Sequence, residues 1–214
     1  MPDPIEEPDQ EQALARYRSL AGSYDRSLSI LLAAPVRRRA VQRLAPTPGE
    51  AILDIACGTG LNLPLLQAGV GPFGKVIGVE MSPEMISIAG ARVEAEGLGS
   101  VQLQQAPVEE LRLSAPADGA LLSFTHDVLR SEAAAARISE ALKPGGRAVA
   151  AGIMDPWLRA GRPVIRAAAR RYVTTLEGLA KPWSLLAGHL EVQTVERLRV
   201  YAGSMFVVTL RKRG

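Results

Sequence analysis

The segment Ile52-Leu53-Asp54-Ile55-Ala56-Cys57-Gly58-Thr59-Gly60 decides the fold of this 214-residue chain. Its apolar first half, together with the preceding alanine, is typical of a strand that is buried on both faces of a sheet. The small residues and two glycines that follow let the backbone approach a ligand closely, and a helix is expected next. Doubly wound α/β sheets bind ligands at such turns, at the carboxyl ends of their strands. The segment therefore predicts a parallel strand that leads into a binding site.

Short apolar runs of the same kind recur along the chain and alternate with helical patterns. One helix begins after Ser82, a favourable N-cap residue, with Pro83 at its first position and Gly97 at its end. Another begins at Ser131 and ends before Pro144. Strands that alternate with helices predict βαβ units and a parallel sheet. The predicted strands of this sheet lie at 51–55, 75–80, 100–105, 118–124 and 146–153.

The last part of the chain departs from this alternation. Residues 191–199 and 203–211 predict two strands joined by a short turn, which adds an antiparallel hairpin to one edge of the sheet. Helical patterns occupy residues 13–45, ahead of the first strand. The predicted fold is therefore α/β, a doubly wound, mostly parallel seven-stranded sheet of the Rossmann-like kind with a C-terminal antiparallel hairpin.

The composition is that of a globular domain, with 47% hydrophobic and 22% charged residues. Residues 1–12 are acidic and proline-rich and are predicted to be disordered, whereas 13–214 are predicted to form one domain. Charges interrupt every apolar run before the roughly 18 residues that a membrane helix needs, and the N-terminus lacks the pattern of a signal peptide. Cys57 is the only cysteine, which excludes an internal disulfide and a multi-cysteine zinc site. No metal is predicted, and the expected location is the cytoplasm.

The charge distribution bears on possible partners. The net charge is only +3 and aromatic residues make up 4% of the chain, so a nucleic-acid partner is disfavoured because stacking platforms are scarce. Arg162, Arg166 and Arg170 recur at helical spacing and predict a basic face that contacts anionic lipid peripherally. A solvated helix face is the alternative interpretation of the same spacing.

The glycine turn and the acids around it indicate which ligand binds. A dinucleotide fingerprint needs a third glycine where Leu63 stands, and a phosphate-binding loop needs Ser or Thr where Val76 stands. The turn therefore suits a nucleoside without phosphates. Glu80 ends the next strand, 20 residues after Gly60, where an acid accepts hydrogen bonds from ribose hydroxyls. Asp54 precedes the glycines and is suited to receive a ligand ammonium group.

With these motifs in place, residues 50–153 resemble the Class I S-adenosylmethionine-dependent methyltransferases. Ala56 stands where the family pattern often has glycine, and the adenine-contacting stretch lacks its usual acid near Ala106 or Pro107. The matching stretches are Leu53–Gly60, Val76–Met85, Gln105–Glu109, Ala117–Phe124 and Leu142–Arg147.

The resemblance implies a binding site for S-adenosylmethionine, which leaves as S-adenosylhomocysteine. Asp54, Gly58 and Gly60 would hold the methionine end, Glu80 would hold the ribose, and methionines would pack against the adenine. The full set of implied cofactor residues is Tyr17, Tyr24, Asp54, Ala56, Cys57, Gly58, Thr59, Gly60, Glu80, Met81, Met85, Ala106, Pro107, Val108 and Ser123.

The N-terminal residues add a narrower resemblance. The stretch from Tyr17 to Tyr24-Asp25 is similar to the N-terminal helix of the ubiquinone/menaquinone methyltransferase type and of soluble bacterial phosphatidylethanolamine N-methyltransferases. In enzymes of this type the helix covers the cofactor, which implies a helical lid over 13–45. Residues 50–153 would bind the cofactor, 154–190 would form the acceptor pocket, and 191–214 the terminal hairpin.

The implied reaction is an in-line methyl transfer, which requires alignment of the acceptor more than a catalytic triad. His126 and Asp127 follow the fourth strand and are the candidate catalytic pair, because a histidine there can remove a proton from an acceptor. The expected acceptor is a small molecule or lipid: quinone-like, natural-product-like or a phospholipid amine. A nucleic-acid methyltransferase and a cofactor-binding protein without transfer activity are the alternatives, and methylation at N, O or C is left open.

Overall fold

The computed structural model describes residues 33–156, 163, 166, 167, 170, 176–198, 200 and 203–214. The helices of this part are α1 (Ala34–Leu44), α2 (Leu63–Val70), α3 (Pro83–Ala95), α4 (Glu132–Ala141) and α5 (Leu186–His189). The strands are β1 (Ala51–Ile55), β2 (Lys75–Glu80), β3 (Val101–Gln105), β4 (Ala117–Ser123), β5 (Leu142–Ile153), β6 (Glu191–Leu198) and β7 (Met205–Arg211). None of these helices combines the length and the apolar character that crossing a membrane would require.

The seven strands form one sheet in the order β3-β2-β1-β4-β5-β7-β6. The first five pair in parallel, and β7 pairs antiparallel with both β5 and β6. This arrangement confirms the predicted doubly wound sheet with its C-terminal antiparallel hairpin. The fifth strand begins earlier than the predicted residue 146, because Leu142 already pairs with Ala117 before the register shifts around the glycines.

Helices cover both faces of the sheet. On one face α1, α2 and α3 bury side chains such as Val36, Leu66 and Ala89 against the strands. On the other face α4 and α5 pack together with Trp183, whose ring contacts that of Phe206 in a tilted arrangement at a centroid distance of 5.0 Å. Trp183 lies in the segment 154–190 that was expected to form the acceptor pocket, but it is 5% exposed and belongs to the core.

Helix α1 is fixed across β4, β5 and β7. At its carboxyl end Arg147 of β5 donates from Nη2 to the carbonyl oxygen of Ala45 at 2.9 Å and pairs with Glu50 at 2.6 Å. The hydrogen bond from Arg147 lowers the pKa of Glu50 below its usual value. Arg147 lies near the start of the parallel pairing between β4 and β5. The carboxyl end of α1 therefore lies near the amino ends of these strands, and its first turn lies toward their carboxyl ends. Residues 13–32 of the predicted lid lie outside the described residues.

Candidate functional site

A cavity lies at the carboxyl ends of β1, β2 and β4, with the first turn of α1 at one side. The empty space at this site, including the part that is open to solvent, is about 810 Å³. The turn after β1 contributes four of the residues predicted from the sequence to the wall, Ala56, Cys57, Gly58 and Thr59. Burial raises the pKa of the Cys57 thiol, which keeps it neutral and favours a packing role.

The turn after β1 has a left-handed backbone at three positions. Gly58 and Gly60 have φ values of +57° and +81°, and Ala56 has a φ of +49°. A Cβ on Gly60 would lie 2.8 Å from Cδ1 of Leu63 and 3.3 Å from Cβ of Ala89, so a larger residue would require these neighbours to shift. The turn is therefore built for a close approach of the backbone, and Ala56 adopts a conformation that glycine adopts with less strain.

Replacing Ala56 with glycine is expected to stabilise the protein by about 1 kcal/mol, because the strain of a left-handed alanine is relieved. For a chain of this size the midpoint of thermal unfolding should rise by about 2–4 °C. Ala148→Gly in β5 is the matched control and should lower the midpoint, since it removes a buried methyl group from the sheet. An Ala56→Gly midpoint below that of the wild type would contradict the strain argument.

Glu80 joins the turns that follow β1 and β2. Its Oε2 accepts a hydrogen bond from the backbone N–H of Gly58 at 3.0 Å, and its Oε1 accepts one from Ser82 at 2.8 Å. The side chain is 6% exposed, and burial raises its pKa. A carboxylate has about four acceptor positions, so the backbone N–H groups of Gly58, Ser82 and Met81 leave room for a ligand hydroxyl. Ser82 also caps α3 by accepting from the N–H of Met85 at 3.2 Å, and Met81 and Met85 line the cavity beside Glu80.

Asp54 lies behind the turn and is fully buried. Its Oδ1 accepts a hydrogen bond from Nδ2 of Asn62 at 3.3 Å, and Asn62 lines the cavity. Burial raises the pKa of Asp54 to about 7, with the nearby charge of Glu80 adding to the rise. Within the described residues, Oδ2 of Asp54 and Oδ1 of Asn62 have no hydrogen-bond partner. Two buried acceptors without donors suit a ligand that carries an ammonium group.

The end of β4 forms the facing part of the wall. Ser123, Thr125 and Asp127 line the cavity, together with Phe124 and Val128. Phe124 has a φ of +61°, and strained backbone of this kind is concentrated at functional sites. His126, predicted with Asp127 as the catalytic pair, is 7% exposed and is not among the residues of the wall. The structure therefore places Asp127 at the cavity and His126 behind it.

Comparison with known proteins finds similarity to methyltransferases. A family described as "Methyltransferase domain" matches residues 52–146, which contain the glycine turn, Glu80 and the end of β4. Nocamycin O-methyltransferase from Saccharothrix syringae is 32% identical over 147 residues, which cover 64% of this chain and 49% of that protein. Demethylmenaquinone methyltransferase from Lactococcus lactis is 30% identical over 158 residues, which cover 70% of this chain and 62% of that protein.

The family match and the named relatives support a Class I S-adenosylmethionine-dependent methyltransferase. The chain spans about half to three fifths of the length of these two curated relatives. Among solved structures, the crystal structure of the cyclase SpnF superposes with a TM-score of 0.72 at 16% identity and covers 98% of both chains, a likeness that concerns the fold alone. The resemblance drawn from the sequence motifs is confirmed.

The geometry of the cavity fits S-adenosylmethionine. Glu80 offers lone pairs to ribose hydroxyls, and the unpartnered Oδ1 of Asn62 belongs to a residue of the wall and suits the ammonium group of the methionine moiety. Asp54 is fully buried, is not among the residues of the wall and accepts a hydrogen bond from Asn62 at 3.3 Å. Ala106, Pro107 and Val108, the implied adenine contacts, do not line the cavity: Ala106 donates its N–H to the carbonyl oxygen of Glu80 at 3.1 Å.

Val108 is buried in the core, and Gly60 lies where the turn packs against Leu63 and Ala89. Tyr17 and Tyr24 lie outside the described residues. Several wall residues were missed by the sequence argument, namely Arg37, Leu61, Asn62, Phe124, Thr125 and Val128. Asn62 carried a weak signal, since it is a polar residue two positions after the last glycine of the turn.

Cofactor binding is expected to weaken as the pH falls below about 7. Asp54 must lose its proton to accept a hydrogen bond from the ammonium group, and its pKa in the free protein is about 7. Each pH unit below this value should therefore raise the Kd for S-adenosylhomocysteine by up to tenfold. Calorimetry between about pH 6 and pH 8 measures this dependence. Asp54→Asn should bind weakly throughout with a flatter profile, and an unchanged profile in this variant would assign the titration elsewhere.

The three arginines predicted to face a lipid surface differ in their surroundings. Arg166 donates from Nε and Nη2 to the carboxylate of Asp155 at 3.1 Å and 3.2 Å, so its charge is compensated. Arg170 is exposed, and Arg162 lies outside the described residues. Contact with a membrane through this set stays a prediction.

Proposed function

We propose that this protein transfers a methyl group from S-adenosylmethionine to a small-molecule acceptor. The observation that carries the proposal is a single cavity in which the glycine turn and Glu80 face the end of β4 with Asp127. Both the cofactor and an acceptor would thus meet in one cavity. The names of the two curated relatives support a small-molecule acceptor, since they specify nocamycin and demethylmenaquinone.

Different residues bind the cofactor and the acceptor, at the two ends of the cavity. Glu80 orients the ribose, Asp54 and Asn62 bind the ammonium group, and Met81 and Met85 pack against the adenine. The bound cofactor supplies a methyl group on a positively charged sulfur, which an aligned nucleophile displaces. Asp127 accepts the proton of an acceptor hydroxyl or acidic carbon, for which a carboxylate must reach the proton at hydrogen-bond distance.

The test is formation of S-adenosylhomocysteine by the purified protein with a set of acceptors: a quinol, a polyketide phenol, phosphatidylethanolamine vesicles and RNA. We expect product above background only with the small molecules. Product with RNA alone would favour the nucleic-acid alternative. Cofactor binding without turnover of any acceptor would favour the non-catalytic alternative and contradict the proposal.

A further inference from the structure

We infer that Arg37 and Thr125 form an anion-binding end of the cavity, which selects a methyl acceptor with a negatively charged oxygen, such as a phenolate, an enolate or a carboxylate. The inference rests on the proposed function, because it names the acceptor class for the same cavity. It separates this class from the phospholipid amines that the sequence left open.

Arg37 is the first of three consecutive arginines, and the structure gives it a different place from the others. Its side chain lines the cavity from the first turn of α1. Arg38 is exposed, whereas Arg39 pairs with Glu196 at 2.9 Å and Arg43 pairs with the same carboxylate. Among the cavity-lining residues of the described chain, Arg37 is the one cationic side chain. The N-terminal end of an 11-residue helix adds a further preference for negative charge.

Arg37 lies on the acceptor side of the cavity. Helix α1 packs across β4, β5 and β7, whereas the groups that suit the cofactor belong to the turns after β1 and β2. The groups of this kind in the wall, on Asn62 and Glu80, are acceptors suited to a ligand's donors. A guanidinium has five N–H donors, so it can bind a ligand oxygen in addition to its contacts within the protein.

Thr125 is a second, independent sign of a polar ligand at this end. The residue is 5% exposed and lines the cavity, and its Oγ1 has no hydrogen-bond partner within the described part of the chain. Oγ of Ser123 at the end of β4 is also buried without a hydrogen-bond partner among the described residues. A buried hydroxyl without a partner costs about 1–3 kcal/mol, and a bound oxygen that accepts its hydrogen bond removes this cost.

Asp127 allows the acceptor to enter the cavity as a neutral acid, because its carboxylate can take the acceptor's proton. The proton of an acceptor O–H passes to the Asp127 carboxylate, and the electron pair stays on the acceptor oxygen. Arg37 then stabilises the resulting anion by a charge-assisted hydrogen bond. When the oxygen–methyl bond forms, the carbon–sulfur bond breaks and its electron pair returns to sulfur, and Asp127 releases its proton to solvent. A neutral amine would offer Arg37 no negative charge to bind.

The experiment measures binding of three matched probe pairs to the protein loaded with S-adenosylhomocysteine: hydroxynaphthoquinone and its methyl ether, nitrophenol and nitroanisole, and benzoate and methyl benzoate. In wild type the anion of at least one pair should bind about tenfold or more tightly than its neutral partner. Arg37→Met should abolish this preference without changing the affinity for the neutral partner. Thr125→Val should reduce it severalfold, and Arg38→Met is the matched control that leaves it unchanged.

Equal binding of anion and neutral partner in all three pairs, or no binding of any anion, would overturn the inference. So would an Arg37→Met protein that loses affinity for S-adenosylhomocysteine and keeps its anion preference, because Arg37 would then hold the cofactor's carboxylate. Failure of the wild type to bind S-adenosylhomocysteine at all would contradict the proposed function instead, and this measurement precedes the others.

Discussion

Asp127→Asn should lower kcat by about 10²-fold or more, because the isosteric amide cannot accept the acceptor's proton. Asp127 lines the cavity directly after β4, so the substitution removes the carboxylate from the wall and keeps its shape. The Kd for S-adenosylhomocysteine should stay within about twofold of wild type, since the groups suited to the cofactor lie at the ends of β1 and β2. Turnover at saturating acceptor and calorimetry with the product measure the two quantities.

His126→Gln is the comparison that separates the two predicted catalytic residues. His126 is 7% exposed and absent from the described cavity wall, so it should act through the position of its neighbour and affect kcat less than Asp127→Asn. Full turnover in Asp127→Asn together with an inactive His126→Gln would assign the proton transfer to the histidine. Equal small effects in both variants would mean that the acceptor needs no base.

Glu80→Ala should weaken S-adenosylmethionine binding by about 1–3 kcal/mol, or roughly 5-fold to 150-fold in Kd, because hydrogen bonds to a charged acceptor are lost. The structure adds a second cause to the loss of ribose contacts. The carboxylate accepts from the N–H groups of Gly58 and Ser82, so the turn after β1 loses its fixed position relative to the turn after β2. Calorimetry measures the affinity, and thermal unfolding without ligand measures the effect on the fold.

Glu94→Ala is the matched control, since Glu94 is an exposed acid on α3 and its removal should leave Kd unchanged. Glu80→Gln keeps one acceptor oxygen and should bind between the alanine variant and wild type, which preserves the test if the alanine variant does not fold. An unaltered Kd in a folded Glu80→Ala protein would show that the ribose binds elsewhere.

Structural features that depend on short stretches of sequence could be predicted. The apolar run ahead of the glycines specified β1, and the spacing from Gly60 to the acid at the end of β2 indicated a nucleoside ligand. The N-caps of two helices could also be predicted. In the structure Ser82 and Ser131 accept hydrogen bonds from the N–H groups three residues later. These features depend on neighbours in the chain, and the sheet order follows from the general rules of parallel connections.

Features that depend on distant contacts could not be predicted. Arg37 looks like its neighbours in the sequence, and only the packing of α1 across β4 and β5 brings it to the cavity. Trp183 is an aromatic residue within the predicted acceptor segment, yet its packing against Phe206 places it in the core. Glu80 lines the cavity and also accepts a hydrogen bond from the backbone N–H of Gly58. This second role depends on the pairing of β1 with β2 and could not be predicted from the sequence.

The most direct test of the account is calorimetric titration of the purified protein with S-adenosylmethionine and S-adenosylhomocysteine, with NADH as the control. We expect binding of both adenosyl ligands near neutral pH and no binding of NADH, because Leu63 replaces the glycine that a dinucleotide site needs. Binding of NADH, or no binding of either adenosyl ligand by the folded wild type, would contradict it.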